Sequence, residues 1–346
     1  MNVNCCAMWT RLSIFFYFIL SLNAFSLSAQ DPQLSQNLAN PLLNSPAFAG
    51  LQDQNKVYFT HRNQWPNQSA NYQYSAAALE LSLGKINSGL GLIFSSDKQF
   101  SSLQTTALSL QYAYHANLNE KTLLSMGIQG SGVFRSLDYS HLTYGDQLGS
   151  FLVNGTLGNT FDPTAVSFMN RVSYVDISAG LLVNHSNYWL GASVHHLNRP
   201  NQSLIRSSDD LIAPKYALMA GVSLPISEGT SLKPALYVKN QGAFSQLDLG
   251  TYLQLNPLVI GFWYRGLPLN KNTSESTTAS RESLIGLIGI QNNRYTFGYS
   301  YDFTVSGLGA GSGGAHELSF SYALNWDFGQ RKSFQRYRQS FACPKF

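Results

Sequence analysis

Beyond residue 29 the longest apolar runs are PLVIGFWY at 257–264 and LIGLIGI at 284–290. A membrane-spanning helix needs roughly 18 to 20 apolar residues, so none is encoded there. What recurs instead is alternation with a period of two. In SLQTTALSLQYAYHA (102–116), Leu108, Leu110, Tyr112 and Tyr114 share one face, while Ala107, Ser109, Gln111 and Ala113 share the other. HELSFSYALNWDF (316–328) repeats the pattern with Leu318, Phe320, Tyr322, Leu324 and Trp326. Such segments, bounded by Asn, Gly, Asp, Pro and Ser, read as β-strands with one apolar face. Fourteen are legible, centred on 56–64, 72–84, 87–95, 103–116, 121–134, 172–184, 187–196, 214–225, 230–240, 246–255, 258–266, 282–291, 293–304 and 315–328. Each reaches or nearly reaches the roughly 9 to 11 residues of a tilted bilayer-crossing strand, and an even number suits a single-chain bacterial barrel.

Composition decides what the apolar face meets. Charged residues are 12% of the chain, about half the roughly 25% of a soluble domain, yet aromatics are 13% and the mean hydropathy is only −0.11. Lipid-facing apolar residues alternating with polar lumen residues give this combination. The expected fold is therefore all-β: a transmembrane antiparallel β-barrel of about 14 strands. Short links (117–120, 185–187, 227–229, 292–294) are expected at the periplasmic end, and long ones (135–168, 198–210, 270–281, 305–315) outside.

The two ends of the chain read differently from the strands. Arg11, the apolar run Leu12 to Leu22 and Ser26-Leu27-Ser28-Ala29 have the layout of a secretory signal, with cleavage near Ala29. Losing Arg11 with it leaves 21 Lys and Arg against 18 Asp and Glu, a net charge of +3 in which neither sign dominates, and no nucleic-acid partner is expected. Cys5 and Cys6 also leave, so Cys343 alone remains and no internal disulfide can form. The expected layout is a signal peptide at 1–29, a pre-barrel or plug segment at 30–55, an outer-membrane barrel at 56–328 and a basic periplasmic tail at 329–346.

Catalytic and metal-binding patterns are not evident. His195 and His196 are adjacent on a strand, so they point to opposite faces, and His61, His115, His141, His185 and His316 lack the spacing of a metal site. Asp138, Asp146, Asp162, Asp209 and Asp210 fall in outer links without singling out a Ser or His partner. GLGAGSGG at 307–314 lacks the Lys-Ser/Thr of a phosphate loop. No enzyme activity, cofactor or metal is expected. In THRNQWP, Trp65 suits an interfacial aromatic girdle, and Arg62 is expected to point the other way, into the lumen or onto a plug.

Several motifs in order resemble the PorP/SprF family of type IX secretion system membrane proteins. They are Asp31-Pro32-Gln33-Leu34-Ser35-Gln36, Pro46-Ala47-Phe48-Ala49-Gly50, Arg62-Asn63-Gln64-Trp65, Asp97-Lys98, HLNRPNQS at 196–203, YSYDFTVSG at 299–307, SGGAHELSFSY at 312–322, and the terminal Cys343-Pro344-Lys345-Phe346. The departures are Ser45 and Phe48 where the family has Asn and Tyr, and Ser96 where it has Asn. The resemblance implies an outer-membrane protein that helps export or attach a secreted cargo, such as a large adhesin, through that cargo's C-terminal type IX signal domain. The implied partners are that cargo, periplasmic and outer-membrane components of the secretion machinery, and outer-membrane lipid. The runner-up reading is a porin-like channel.

The stretch DPQLSQNLANPLLNSPAFAG (31–50) has neither strand nor helix periodicity, and Pro32, Pro41 and Pro46 exclude a continuous helix. It is expected to start in the periplasm and to plug the lumen, dock a partner or serve as a linker. Asp31, Pro32, Gln33, Gln36, Pro46, Phe48, Gly50, Arg62, Trp65 and His196 are the candidate plug or partner-binding residues.

Overall fold

The computed structural model describes residues 31–52, 54–68, 71–99, 102–138, 145–147, 169–206, 208–266, 281–305 and 310–326. The leader, the basic tail, His141, Asp162 and most of the links at 135–168 and 270–281 lie outside the described residues. The wall strands are β1 (Asn55–Gln64), β2 (Tyr72–Leu83), β3 (Ser88–Gln99), β4 (Leu103–Asn119), β5 (Thr122–Leu137), β6 (Arg171–His185), β7 (Tyr188–His195) and β8 (Lys215–Val222). They continue with β9 (Leu224–Ser227), β10 (Thr230–Gln241), β11 (Phe244–Leu255), β12 (Leu258–Gly266), β13 (Arg281–Gln291), β14 (Tyr295–Thr304) and β15 (Ala315–Leu324).

Each strand pairs antiparallel with its neighbours, and β1 pairs with both β2 and β15, which closes the sheet. β8 and β9 both pair with β10, so they are two pieces of one span. The ring therefore has the expected fourteen spans. Among the described residues closure pairs the spans on both sides, the short β9 alone bonding only to β10, as a membrane requires, because an unpaired backbone group in hydrocarbon has no water to bond.

Most strand boundaries fall close to their expected places, with three differences. β3 runs on to Gln99 and carries Asp97 and Lys98 within its ladder with β2. β4 and β5 each run three residues past their expected C-terminal ends, to Asn119 and Leu137, because the pairing between neighbouring strands continues there. Two links on the long-loop side are short: residues 100–102 after β3, and Gly242–Ala243 after β10.

The two faces of the wall separate cleanly. Phe59, Phe94, Leu110, Ile128, Leu218, Phe262 and Ile288 are exposed, Phe262 by 67%, whereas Thr60, Gln111, Ser125, Ser178 and Glu317 on the alternate face are buried. An apolar belt this extensive on a water-soluble surface would be an interaction or aggregation liability; on a closed barrel it is the lipid contact. No helix among the described residues is long and apolar enough to cross a membrane.

A charge on this belt should cost most at mid-height. Leu110→Arg, at a site 60% exposed near the middle of β4, should destabilise the barrel by about 2–4 kcal/mol in denaturant titrations on vesicles. Gln104→Arg, on the same face near the strand end, should cost about 0–1 kcal/mol.

Candidate functional site

The inward residues of the wall converge on the chain's own N-terminal stretch. Ser35, Gln36, Asn37, Leu38, Leu42, Ser45, Ala47, Phe48, Ala49 and Leu51 are all buried. Two 3-10 turns, Pro41–Leu43 and Pro46–Phe48, each start on a proline, whose fixed φ suits the first turn position. The Ser45 side chain accepts from the Ala47 amide and caps the second turn. The local sequence thus supplies compact turns instead of a helix. Their partners lie on wall strands all round the ring, which puts the stretch inside the lumen.

On one side it is held by charge. The Arg62 guanidinium (β1) donates to Asp302 (β14) at 2.8 Å, to Glu317 (β15) at 3.1 Å and to the Ser35 hydroxyl at 2.8 Å. Glu317 accepts the successive backbone amides of Ser35 and Gln36 at 2.7 and 3.0 Å, so it binds main chain and not a particular side chain. Arg265 (β12) donates to Asp248 (β11) at 3.1 Å, to Asp302 at 3.2 Å and to the Leu34 carbonyl at 2.7 Å. Lys239 (β10) completes the chain, 3.6 Å from Asp248 and 3.3 Å from the Asn37 side chain. Three cations thus face three carboxylates, and the low-dielectric penalty of burying each is offset by its neighbours.

The opposite wall holds main-chain carbonyls. Gln111 (β4) donates to Leu42 at 2.8 Å, Ser125 (β5) to Ala47 at 2.5 Å, and His115 (β4) through Nε2 to Ala49 at 3.1 Å. Ser193 and His195 (β7) both donate to Asn44, at 3.0 and 3.2 Å. Two close approaches need glycine. A Cβ on Gly127 would strike the Pro46 and Ala47 backbone, and Gly50, at φ +66°, packs directly on Gly89. Between the two polar walls, Phe48 meets Trp189 edge-on at 6.2 Å, and the stack continues through Tyr237 and Trp263 to Tyr252 at centroid spacings of 6.1, 5.8 and 5.2 Å. Phe48, which lacks the family's Tyr hydroxyl, thus sits in an aromatic setting.

The direction of the segment differs from the expected start at the short-turn end. Residues 34–37 meet Arg62, Asp302, Glu317 and Arg265, each within two residues of a strand end that carries a long link. Ala47, Ala49 and Gly50 meet Ser125, His115 and Gly89, near the short-turn ends. The chain descends through the lumen and then enters β1.

Of the candidate residues, Gln36, Pro46, Phe48, Gly50 and Arg62 come together in this assembly. Gln36 bonds Ser300, Ser319 and the Glu317 carbonyl. Pro32 and Gln33 precede it and are partly buried, and Asp31 is the first described residue, outside the compact unit that Pro32 opens. Trp65 lies just beyond β1 at φ +57°, its amide donating to the Gly314 carbonyl at 2.7 Å. His196 lies elsewhere, just past β7, paired to Asp176 at 3.0 Å. Among the described residues no three His, Cys, Asp or Glu are grouped as a metal site.

Sequence reading missed Asp248, Arg265, Asp302, Glu317 and the amide and hydroxyl donors opposite. A signal existed: Asp302 and Glu317 sit inside YSYDFTVSG and HELSF, on the polar register of spanning strands, where an ionisable group is itself a reason to look for a partner.

Gly127→Val should expel the segment while sparing the wall. Hydrogen exchange on the protein in nanodiscs should then show lost protection at residues 35–50 and retained protection in β4 to β6. Arg62→Met should cost about 3–5 kcal/mol in unfolding titrations, because it leaves the buried Glu317 without a cation and Asp302 with Arg265 alone.

The family model for type IX secretion system membrane proteins of the PorP/SprF type matches residues 26–322. No curated protein matches the sequence. Among solved structures, the Pseudomonas putida toluene transporter TodX aligns at 10% identity and TM-score 0.43, over 82% of this chain and 93% of that one. The Ralstonia pickettii toluene transporter TbuX aligns at 11% and 0.41, over 82% and 91%. The monoaromatic hydrocarbon channel CymD aligns at 11% and 0.45, over 87% and 95%. Nothing about the ligands of this chain follows from those likenesses. The match across most of the chain, on a closed fourteen-span barrel, makes this protein a member of the PorP/SprF family of type IX secretion system membrane proteins, located in the outer membrane.

Proposed function

We propose that the protein is a non-enzymatic partner in type IX secretion that helps a cargo reach or stay on the cell surface by engaging the cargo's C-terminal signal domain. In this reading residues 31–50 are a plug, the short turns face the periplasm and the long links face outward. The observation that carries it is the filled lumen. A barrel whose interior is bonded to its own chain on both walls is suited to present surfaces and loops, and poorly suited to pass solute. The porin-like alternative needs a continuous path that the segment occupies.

The two readings separate in cells and in bilayers. Deleting the gene should leave at least one type IX cargo off the surface while general secretion continues, and normal display of every cargo would remove this reading. In planar bilayers the intact chain should be electrically silent, whereas a chain lacking 31–50 should conduct, since a fourteen-stranded wall encloses a wide interior. Steady conductance from the intact chain would favour the channel.

A further inference from the structure

The segment does not fill the lumen evenly. At the short-turn mouth, along the wall from β11 through β15 to the start of β1, remains a cleft of about 380 Å³, within the range of sites that hold small molecules. Lys56 and Arg294 bring positive charge to it, and Gln254, Asn256, Gln291 and Asn293 bring side-chain amides. No carboxylate of the described residues lines it. Glu80 approaches Lys56 from β2 but is fully buried and takes the Tyr58 hydroxyl at 2.5 Å, so it does not face the cleft.

We infer that this cleft is a docking site for an acidic peptide segment of a periplasmic protein. Side-chain amides present a donor and an acceptor together and so match peptide groups, while Lys and Arg make charge-assisted bonds to carboxylates. Lys56 shares the inward register of Tyr58, Thr60 and Arg62. The cleft therefore opens inside the mouth and not onto the lipid face, which disfavours a lipid headgroup. The chain's own tail does not suit it either: residues 329–346 carry Arg331, Lys332, Arg336, Arg338 and Lys345 with no acidic residue.

The inference rests on the proposed orientation and not on the cargo reading. Cargo display in the deletion strain tests that reading, and binding to purified protein tests this one. The experiment uses the full mature chain in nanodiscs and a fluorescent octapeptide alternating Glu and Asn, with a Lys and Asn octapeptide as counterpart. Saturable binding of the acidic peptide should weaken by roughly tenfold or more in the Lys56→Gln, Arg294→Gln double variant. Lys85→Gln, which removes a charge from the same rim outside the cleft, should leave it unchanged. Equal binding of the two peptides, no effect of the double variant, an equal effect of Lys85→Gln, or displacement by equimolar inorganic phosphate would each overturn the inference. Retained resistance of the folded barrel to unheated SDS in every variant shows that the comparison is between folded proteins.

Discussion

The interior of this barrel depends on one guanidinium. Arg62 is shared between Asp302, Glu317 and the Ser35 hydroxyl, so a single side chain joins three adjacent strands to the segment they enclose. A carboxylate buried here without a cation would be costly, and a cation without its carboxylates equally so. The six charges are therefore mutually dependent, and the segment is part of the solution, because Glu317 spends both oxygens on its backbone amides. Wall and segment specify one another.

The same logic explains why the stretch can be irregular. Inside a membrane, backbone that is neither helix nor sheet needs its polar groups met by protein or water. The wall supplies those partners residue by residue, through Gln111, Ser125, His115 and Ser193, and it supplies space through Gly127 and Gly89. None of these positions has a pattern of its own. Each looks like an ordinary polar or small residue on the non-lipid face of a strand.

That contrast marks how far the sequence could be read. The wall was legible because alternation is a local signal: Leu108, Leu110, Tyr112 and Tyr114 announce β4 without reference to the rest of the chain. The family was legible from motifs such as the opening Asp31 to Gln36 and Arg62 to Trp65. Arg62 shares the inner register of Tyr58 and Thr60 on β1, whereas Trp65, against which its direction was read, lies off the strand; its partners were not legible at all, since Asp302 and Glu317 are more than 200 residues away and meet it only when β15 closes on β1. The direction of the N-terminal segment was illegible for the same reason. Only the positions of Arg265 and Asp302 near the long-link ends reveal that residues 34–37 lie there.

The segment's place in the lumen is what both polar walls are built around, and a disulfide tests it most directly. The Cβ of Ser45 lies 3.4 Å from where a Cβ on Gly180 would be, close to the spacing of a disulfide. In a chain with Cys343→Ser, the pair Ser45→Cys and Gly180→Cys should oxidise in outer membranes without added oxidant, as judged by gel mobility with and without reductant. The cross-strand pair Gln129→Cys and Ser178→Cys serves as the wall control. A Ser45–Gly180 pair that stays reduced while the wall pair oxidises would contradict the claim that residues 34–50 lie inside the barrel.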